Sequence, residues 1–469
     1  MKRAAVLIPL LLAGCSMEPA YVRPDPAVPA SWPAGDVYLR QSEAALPSVT
    51  YQQVFRDPRL QTLIGQALVN NRDLMVAAAN IAAAREQYRI QRANQLPQVN
   101  AQGGATVQPK DPGSGVLVNT NLGVQVPAFE VDLFGRIRSQ SHAALNRYLA
   151  TEAGARATRL TLVSDVATAW LAYASDATLL QIAENTVDVA NKSVRLTRLR
   201  LEGGIAPRTD LRQAEQVRDQ ALSDAADQRT ALAQDANLLQ LLVGAPIDPG
   251  LLPKSIDEAA GTIVGIPAGT DSYVLLRRPD VVQAEYDLRA ANADIGAARA
   301  ALFPRISIQG LLGFAGSSVG SLLGSFGWSA GANATYSIFN AGAGRANVRL
   351  TEAQQRAAVA TYQHTIQTAF REVADALARE GTINDRLAAQ QSQKEAAADT
   401  FILTEARYRE GIDPFLNVLD SQRLYYAAQR SLALSRLTAA QTLVDLYRAL
   451  GGDSLYPPPA PPAVLAIRQ

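Results

Sequence analysis

Apolar and polar residues alternate one by one along four short stretches of this chain and recur at helical spacing almost everywhere else. After Pro97, Val99, Ala101, Gly103, Ala105 and Val107 alternate with Gln98, Asn100, Gln102, Gly104, Thr106 and Gln108. A turn cluster from Pro109 to Gly115 follows, and then Val116, Val118, Thr120, Leu122, Val124 and Val126 alternate with mostly polar residues. This predicts a β-hairpin with one apolar and one polar face, its strands at about 98–108 and 116–127. A second hairpin is predicted at about 305–315 and 327–339, with Trp328 and Tyr336 on the apolar face toward the ends of its last strand. Each strand has about 10 residues, enough for a tilted strand to cross a bilayer, and end-placed aromatics suit its interfaces. A soluble sheet with one face on a core gives the same alternation, but the only apolar material nearby is Ala-rich helix.

Each hairpin leads into a very long helical pattern, from about Ile137 to Glu202 and from about Ala346 to Glu410, with no proline in either. Some sixty-five helical residues span roughly 100 Å. The first carries two apolar stripes: Val163, Ala167, Leu171 and Ala174, and then Val166, Trp170, Tyr173, Ala177 and Leu180. Two stripes allow a neighbour on each side, as a barrel of helices requires, although an ordinary bundle fits the pattern too. Both long patterns end at a tight break, Gly203-Gly204-Ile205-Ala206-Pro207 and Gly411-Ile412-Asp413-Pro414. Glycine ends a helix at little cost and proline suits the start of the next.

The two breaks are in register. Gly204 and Gly411 are 411 − 204 = 207 positions apart, and so are Pro207 and Pro414, Pro97 and Pro304, and Val166-Ala167 and Val373-Ala374. A period this long is a duplicated fold unit and not a solenoid repeat of ~20–50 residues. The expected copies are 57–250 and 264–455, joined by a crossover at 251–263. The fold class is therefore mainly α, with very long antiparallel helices and four strands per chain. Four strands cannot close a membrane barrel, which needs at least ~8 strands and no free edge. Several chains must share one: a dimer gives eight strands and a trimer twelve.

Composition adds little. The net charge of +1 implies neither a nucleic-acid surface nor an acidic partner, and no apolar run is long enough for a membrane helix. The start of the chain says more. Met1-Lys2-Arg3 is a basic opening, Ala4 to Leu12 an apolar core, and Leu12-Ala13-Gly14-Cys15 resembles a bacterial lipobox. By that resemblance 1–14 is a signal peptide and Cys15, the one cysteine, is the lipidated first residue of the mature chain. Ser16 stands where the inner-membrane retention signal usually needs Asp, which implies the outer membrane. Prolines at 19, 24, 26, 29, 33 and 47 mark 15–56 as an extended tether, and 456–469 is a Pro-rich tail.

Catalytic chemistry is missing. The two histidines, His142 and His364, lie in different copies, and no ligand cluster has metal spacing. There is no nucleophile elbow or P-loop. Asn340-Ala341-Gly342-Ala343-Gly344-Arg345 follows a strand and opens a helix, but a dinucleotide loop needs a third glycine where Asn347 stands. No enzyme activity, cofactor, metal or nucleic acid is expected.

The lipobox, Phe129-Glu130-Val131-Asp132-Leu133-Phe134-Gly135-Arg136, Ser337-Ile338-Phe339-Asn340 with Gly344-Arg345, and the paired breaks together resemble the TolC-family outer-membrane factors, in particular the efflux lipoproteins of OprM/NodT type. The resemblance covers nearly the whole mature chain. It implies a homotrimer in which twelve strands form one outer-membrane barrel, continued into the periplasm by an α-barrel of twelve helices. It implies a passive exit duct for small molecules such as drugs, served by an inner-membrane transporter and a periplasmic adaptor. Gly203, Gly204, Pro207, Gly411, Asp413 and Pro414 would be the docking tips. Leu416, Asp420 and Arg423 share one helix face, and the resemblance implies a periplasmic gate of an apolar residue, an Asp and an Arg at this spacing. Thr209, Gln213 and Gln216 occupy the matching places in the first copy, so the charged set is particular to the second. Two other readings stay open: an outlet for protein secretion, and a structural envelope protein with no channel. Channel conductance separates the last from the others. Met17 and Met75 are the only methionines of the mature chain, which argues against a copper or silver duct.

Overall fold

Four strands form one antiparallel sheet in sequence order: β1 (Asn100–Pro109), β2 (Val116–Val131), β3 (Arg305–Gly316) and β4 (Phe326–Thr335). A computed structural model gives the fold and describes residues 16–29, 50–109, 116–265 and 272–452. The signal peptide with Cys15, the middle of the tether and the Pro-rich tail lie outside the described residues.

The register explains the alternation. Ala101 faces Val124, Val124 faces Leu312, and Leu312 faces Trp328; one row along, Gly103, Leu122, Phe314 and Phe326 are matched in the same way. Directly opposed residues point to the same side of a sheet. The apolar faces of both hairpins therefore join into one surface, and it is exposed: Phe326 keeps 63% and Trp328 76% of its area in solvent. The opposite face carries a row of Gln102, Gly123, Gly313 and Gly327. A Cβ on Gly313 would meet the Leu122 carbonyl oxygen at 2.4 Å, so β2 and β3 approach more closely there than any side chain allows.

Two strand ends differ from the sequence expectation. β2 continues to Val131 through a bulge between Val126 and Phe129. The bulge accommodates Pro127, which lacks an N–H, and its extra residue returns Phe129 and Val131 to the apolar face. β4 stops at Thr335, because its partner Arg305 is the first residue of β3. Tyr336 and Ile338 thus fall outside the strand expected to reach 339, and the chain turns through Ala341 and Gly342, both at positive φ.

The helices are α1 (Tyr51–Val54), α2 (Pro58–Asn70), α3 (Arg72–Ala93), α4 (Arg136–Glu202), α5 (Arg208–Val243), α6 (Ile256–Ala260), α7 (Pro279–Ala300), α8 (Ala343–Arg409) and α9 (Phe415–Ala449). The 207-residue offset reappears: α4 and α8 each have 67 residues, α3 and α7 each 22, and α5 and α9 have 36 and 35. The copies part before α7. Helix α2 starts on Pro58 with Asp57 as its cap, whereas the described part of the matching stretch in the second copy is a short 3-10 segment at Ser272–Arg277. Asn71 then breaks α2 from α3, and its side-chain oxygen accepts the N–H groups of Asp73 and Leu74.

The chain divides into two compact units, each drawing on both copies. One comprises Met1–Pro26, Ala78–Gly154 and Val282–Thr365, with the sheet and the strap described below. The other comprises Ala27–Ala77, Ala155–Val281 and Ile366–Gln469. Its core holds Leu60, Leu63 and Ile64 of α2, Val163, Val166, Trp170 and Leu171 of α4, and Leu239 and Val243 of α5, with Val444 and Tyr447 of α9. Arg278 is buried beside it, bonded to Asp280, Glu372 and the Ala449 carbonyl.

Candidate functional site at the helical tips

Both long helices end in the same backbone device. At the first tip Ile205 N–H donates to the Arg200 carbonyl at 2.9 Å and Gly204 N–H to that of Leu201 at 3.0 Å. At the second, Ile412 N–H donates to Arg407 and Gly411 N–H to Tyr408, at 2.9 and 3.0 Å. This is the Schellman pattern, and Gly204 and Gly411 supply its left-handed residue at φ 74° and 75°. Pro207 and Pro414 cap the returning helices with extended backbone. The glycines and prolines of both turns are exposed, as are Ile205 at 70% and Ile412 at 61%. The six tip residues expected from the sequence are thus presented on two turns of one design.

Side chains differentiate the tips. Arg407 forms a two-point ion pair with Asp413 across its own turn, at 2.7 and 3.1 Å. The Arg407 hydrogen bond holds the Asp413 carboxyl below its usual range. The first copy has Arg200 in the same place but Ala206 instead of the acid. Arg200 turns to the other hairpin, donating to the Tyr408 carbonyl at 2.8 Å with its guanidinium 4.4 Å over the Tyr408 ring. Below this contact Val194, Ala214, Phe401, Tyr408, Phe415, Val418 and Leu419 join all four tip helices in one apolar cluster.

A second tie lies beyond the cluster, farther from the tips. Tyr426 O–H of α9 donates to Asp224 of α5 at 2.6 Å, and Arg430 reaches the same carboxylate at 3.5 Å. Burial, then the Asp224 bond, pushes the Tyr426 hydroxyl's pKa up. The sequence reading missed Arg200, Tyr408, Asp224, Tyr426 and Arg430. Only the absent acid at Ala206, which leaves Arg200 without its counterpart's partner, gave a hint.

Leu416, Asp420 and Arg423 lie together on the exposed side of α9, while Phe415, Val418, Leu419 and Gln422 face inward. Among the described residues Asp420 and Arg423 make no ion pair, with each other or elsewhere within the chain. Asp420 therefore presents an uncompensated carboxylate, and Leu416 remains 53% exposed.

Residues 16–26 form a strap on α7 in the sheet's unit. Arg23 grips Glu285 at 2.7 and 3.1 Å, Asn292 donates to the Pro19 carbonyl at 2.8 Å, and Arg289 lies 4.9 Å over the Tyr21 ring. Gly296 admits the strap, since a Cβ there would stand 2.7 Å from the Glu18 Cα. The strap thus delivers Ser16, the neighbour of Cys15, close to the end of α7 that leads into β3. No group of His, Cys, Asp and Glu fit to hold a metal occurs among the described residues.

The sequence profile described as outer membrane efflux protein matches residues 63–245 and 272–452. The solvent efflux pump outer membrane protein SrpC of Pseudomonas putida is 41% identical over 455 residues, covering 94% of this chain and 96% of its own. Outer membrane protein OprJ of Pseudomonas aeruginosa is 39% identical over 457 residues, with 96% and 95% covered. Among solved structures, the open-state MtrE outer membrane channel of Neisseria gonorrhoeae superposes with a TM-score of 0.85 at 32% identity, over 94% of this chain and 98% of that one. CusC gives a TM-score of 0.85 at 36% identity, over 93% and 100%.

Proposed function

The chain belongs to the outer membrane efflux protein family and is an efflux channel of the outer membrane, and from that premise we propose how it assembles, docks and closes. The carrying observation is the open sheet: four strands with one continuous apolar face, with β1 and β4 left as edges. In lipid each unpaired backbone group costs several kcal/mol, so β4 of one copy pairs with β1 of the next until the barrel closes. Three copies give twelve strands. The apolar face meets lipid and the Gln and Gly face lines the passage. Native mass spectrometry in mild detergent is expected to show trimer; mainly monomer would sink this assembly.

Cys15 carries the lipid anchor after removal of 1–14, and 15–56 is the tether. The strap on α7 supports this, because it runs Glu18 against Gly296, near the end of α7 that leads into β3, which is where a periplasmic leaflet would lie. Residues 57–250 and 264–455 are the two repeats, 251–263 the crossover and 456–469 the tail. The tips dock a periplasmic adaptor that links the duct to an inner-membrane transporter; exposed Ile205 and Ile412 on matched turns suit a repeated contact. The cargo is small molecules, solvents and antibiotics included, as the names of the pumps that its relatives serve indicate. Those relatives favour efflux over protein secretion.

Leu416, Asp420 and Arg423 form the periplasmic gate. Repeated by symmetry, Leu416 makes an apolar constriction, Asp420 a cation-selective ring, and Arg423 a tie to a neighbouring copy. Their exposure on one face, with no ion-pair partner for Asp420 or Arg423 among the described residues, supports the assignment. Asp420→Ala with Arg423→Ala is expected to raise single-channel conductance in planar bilayers and to weaken cation preference. Unchanged values of both would move the gate elsewhere.

A further inference from the structure

Two aspartates meet between the helices of the first hairpin, Asp176 on α4 and Asp235 on α5, within hydrogen-bonding reach of each other. The Asp235 Oδ2 atom is buried with no partner, and so is the neighbouring Ser175 Oγ. Neither carboxylate is acted on by a cation among the described residues. Charges on the elements packed there are engaged elsewhere: Arg229 of α5 with Glu184 of α4, Arg436 of α9 with Asp257 of α6, and Arg59 of α2 with Asp57 and Glu258. Two like charges in a half-buried site repel strongly, and sharing one proton turns that repulsion into a hydrogen bond.

The fold does not need acids at these places. In the second copy the matching residues are Ile383 and Thr442. Ile383 is buried, and Thr442 bonds to the Thr438 carbonyl of its own helix at 2.8 Å. An apolar and a self-satisfied residue thus serve at one crossing where the other holds two carboxylates.

We propose that Asp176 and Asp235 form a proton-operated clasp between α4 and α5. With one proton between them the helices of the first hairpin are held together; without it they are pushed apart. Burial first, and then the Asp176 charge, lifts the Asp235 pKa from 3.8 to about 6. An acid with a raised pKa binds its proton more tightly in the folded chain, so its contribution is fully present below 3.8 and lost as pH rises through about 6. The clasp is therefore closed in mildly acidic surroundings and open at neutral pH.

The test uses the full-length protein in detergent, with infrared difference spectra of the carboxyl band and thermal unfolding at about pH 5 and about pH 7.5. The wild type is expected to show a carboxyl titrating near pH 6 and a lower midpoint of unfolding at the higher pH. Asp235→Asn, which mimics the protonated acid, should lose that titration and keep the acid-pH midpoint at both values. The repeat-swap variant, Asp176→Ile with Asp235→Thr, should fold and show the same loss. A wild type without a carboxyl titrating near pH 6, or one whose titration survives Asp235→Asn, overturns the clasp. So does a pH dependence of unfolding equal in wild type and both variants.

Discussion

Trp170→Ala is expected to destabilise the chain by about 3–5 kcal/mol, the usual range for deleting a fully buried large aromatic, against a typical total of ~5–15 kcal/mol. Trp170 is completely buried in the middle of α4. Its indole N–H donates to the Leu251 carbonyl at 3.1 Å, and the Arg59 guanidinium lies 5.6 Å from its ring. One side chain thus joins α4, the crossover and the start of α2. The second copy has Leu377 at the matching position, a smaller residue with no polar handle, so the loss cannot be made up by symmetry. The readout is unfolding in detergent followed by a signal insensitive to tryptophan content. Trp170→Phe should recover a large part of the loss, and a change below about 1 kcal/mol for the alanine variant would mean that the site collapses around the gap.

The second large effect is on the tips. Asp224→Ala combined with Arg200→Ala removes both polar ties between the hairpins, the Tyr426–Asp224 bond and the Arg200–Tyr408 contact. A hydrogen bond to a charged group contributes about 1.5–3 kcal/mol, roughly tenfold to a hundredfold in an equilibrium. Separating the first hairpin from the second must break these ties, one between α5 and α9 and one between α4 and α8, so the variant is expected to raise the open population in bilayer recordings at least about tenfold. Its unfolding midpoint should fall as well, because both bonds are also lost on unfolding, while the apolar cluster keeps the hairpins folded. Conductance equal to wild type would assign the ties to stability alone.

The sheet was legible because it has a period of two and two chemically distinct faces. Alternation alone placed Val124, Leu312 and Trp328 on one side, and the observed pairing puts them in one row. Alternation failed where the chain departs from two-residue spacing. Pro127-Ala128 interrupts it, which hid the last residues of β2, and Tyr336 continues it past the point where a partner strand exists. The turns were legible because glycine and proline carry backbone information locally. The ties were not. Tyr426 and Asp224 are 202 positions apart and Arg23 and Glu285 are 262 apart, and no local pattern announces such a meeting. Leu416, Asp420 and Arg423 were placed on one face by their spacing, and the structure exposes that face, but the gate proposed for them would need contacts between copies.

The unequal use of one arginine has a mechanical meaning. Arg407 is spent within its own turn, in an exposed ion pair that ties the second hairpin's end only to itself. Arg200 holds a neighbour instead, through one carbonyl and one ring face. A pull applied to the second hairpin's end is therefore passed to the first hairpin through the Arg200 contact. The carbonyl that Arg200 holds also accepts the Gly411 N–H, so this joint is anchored on the second turn itself.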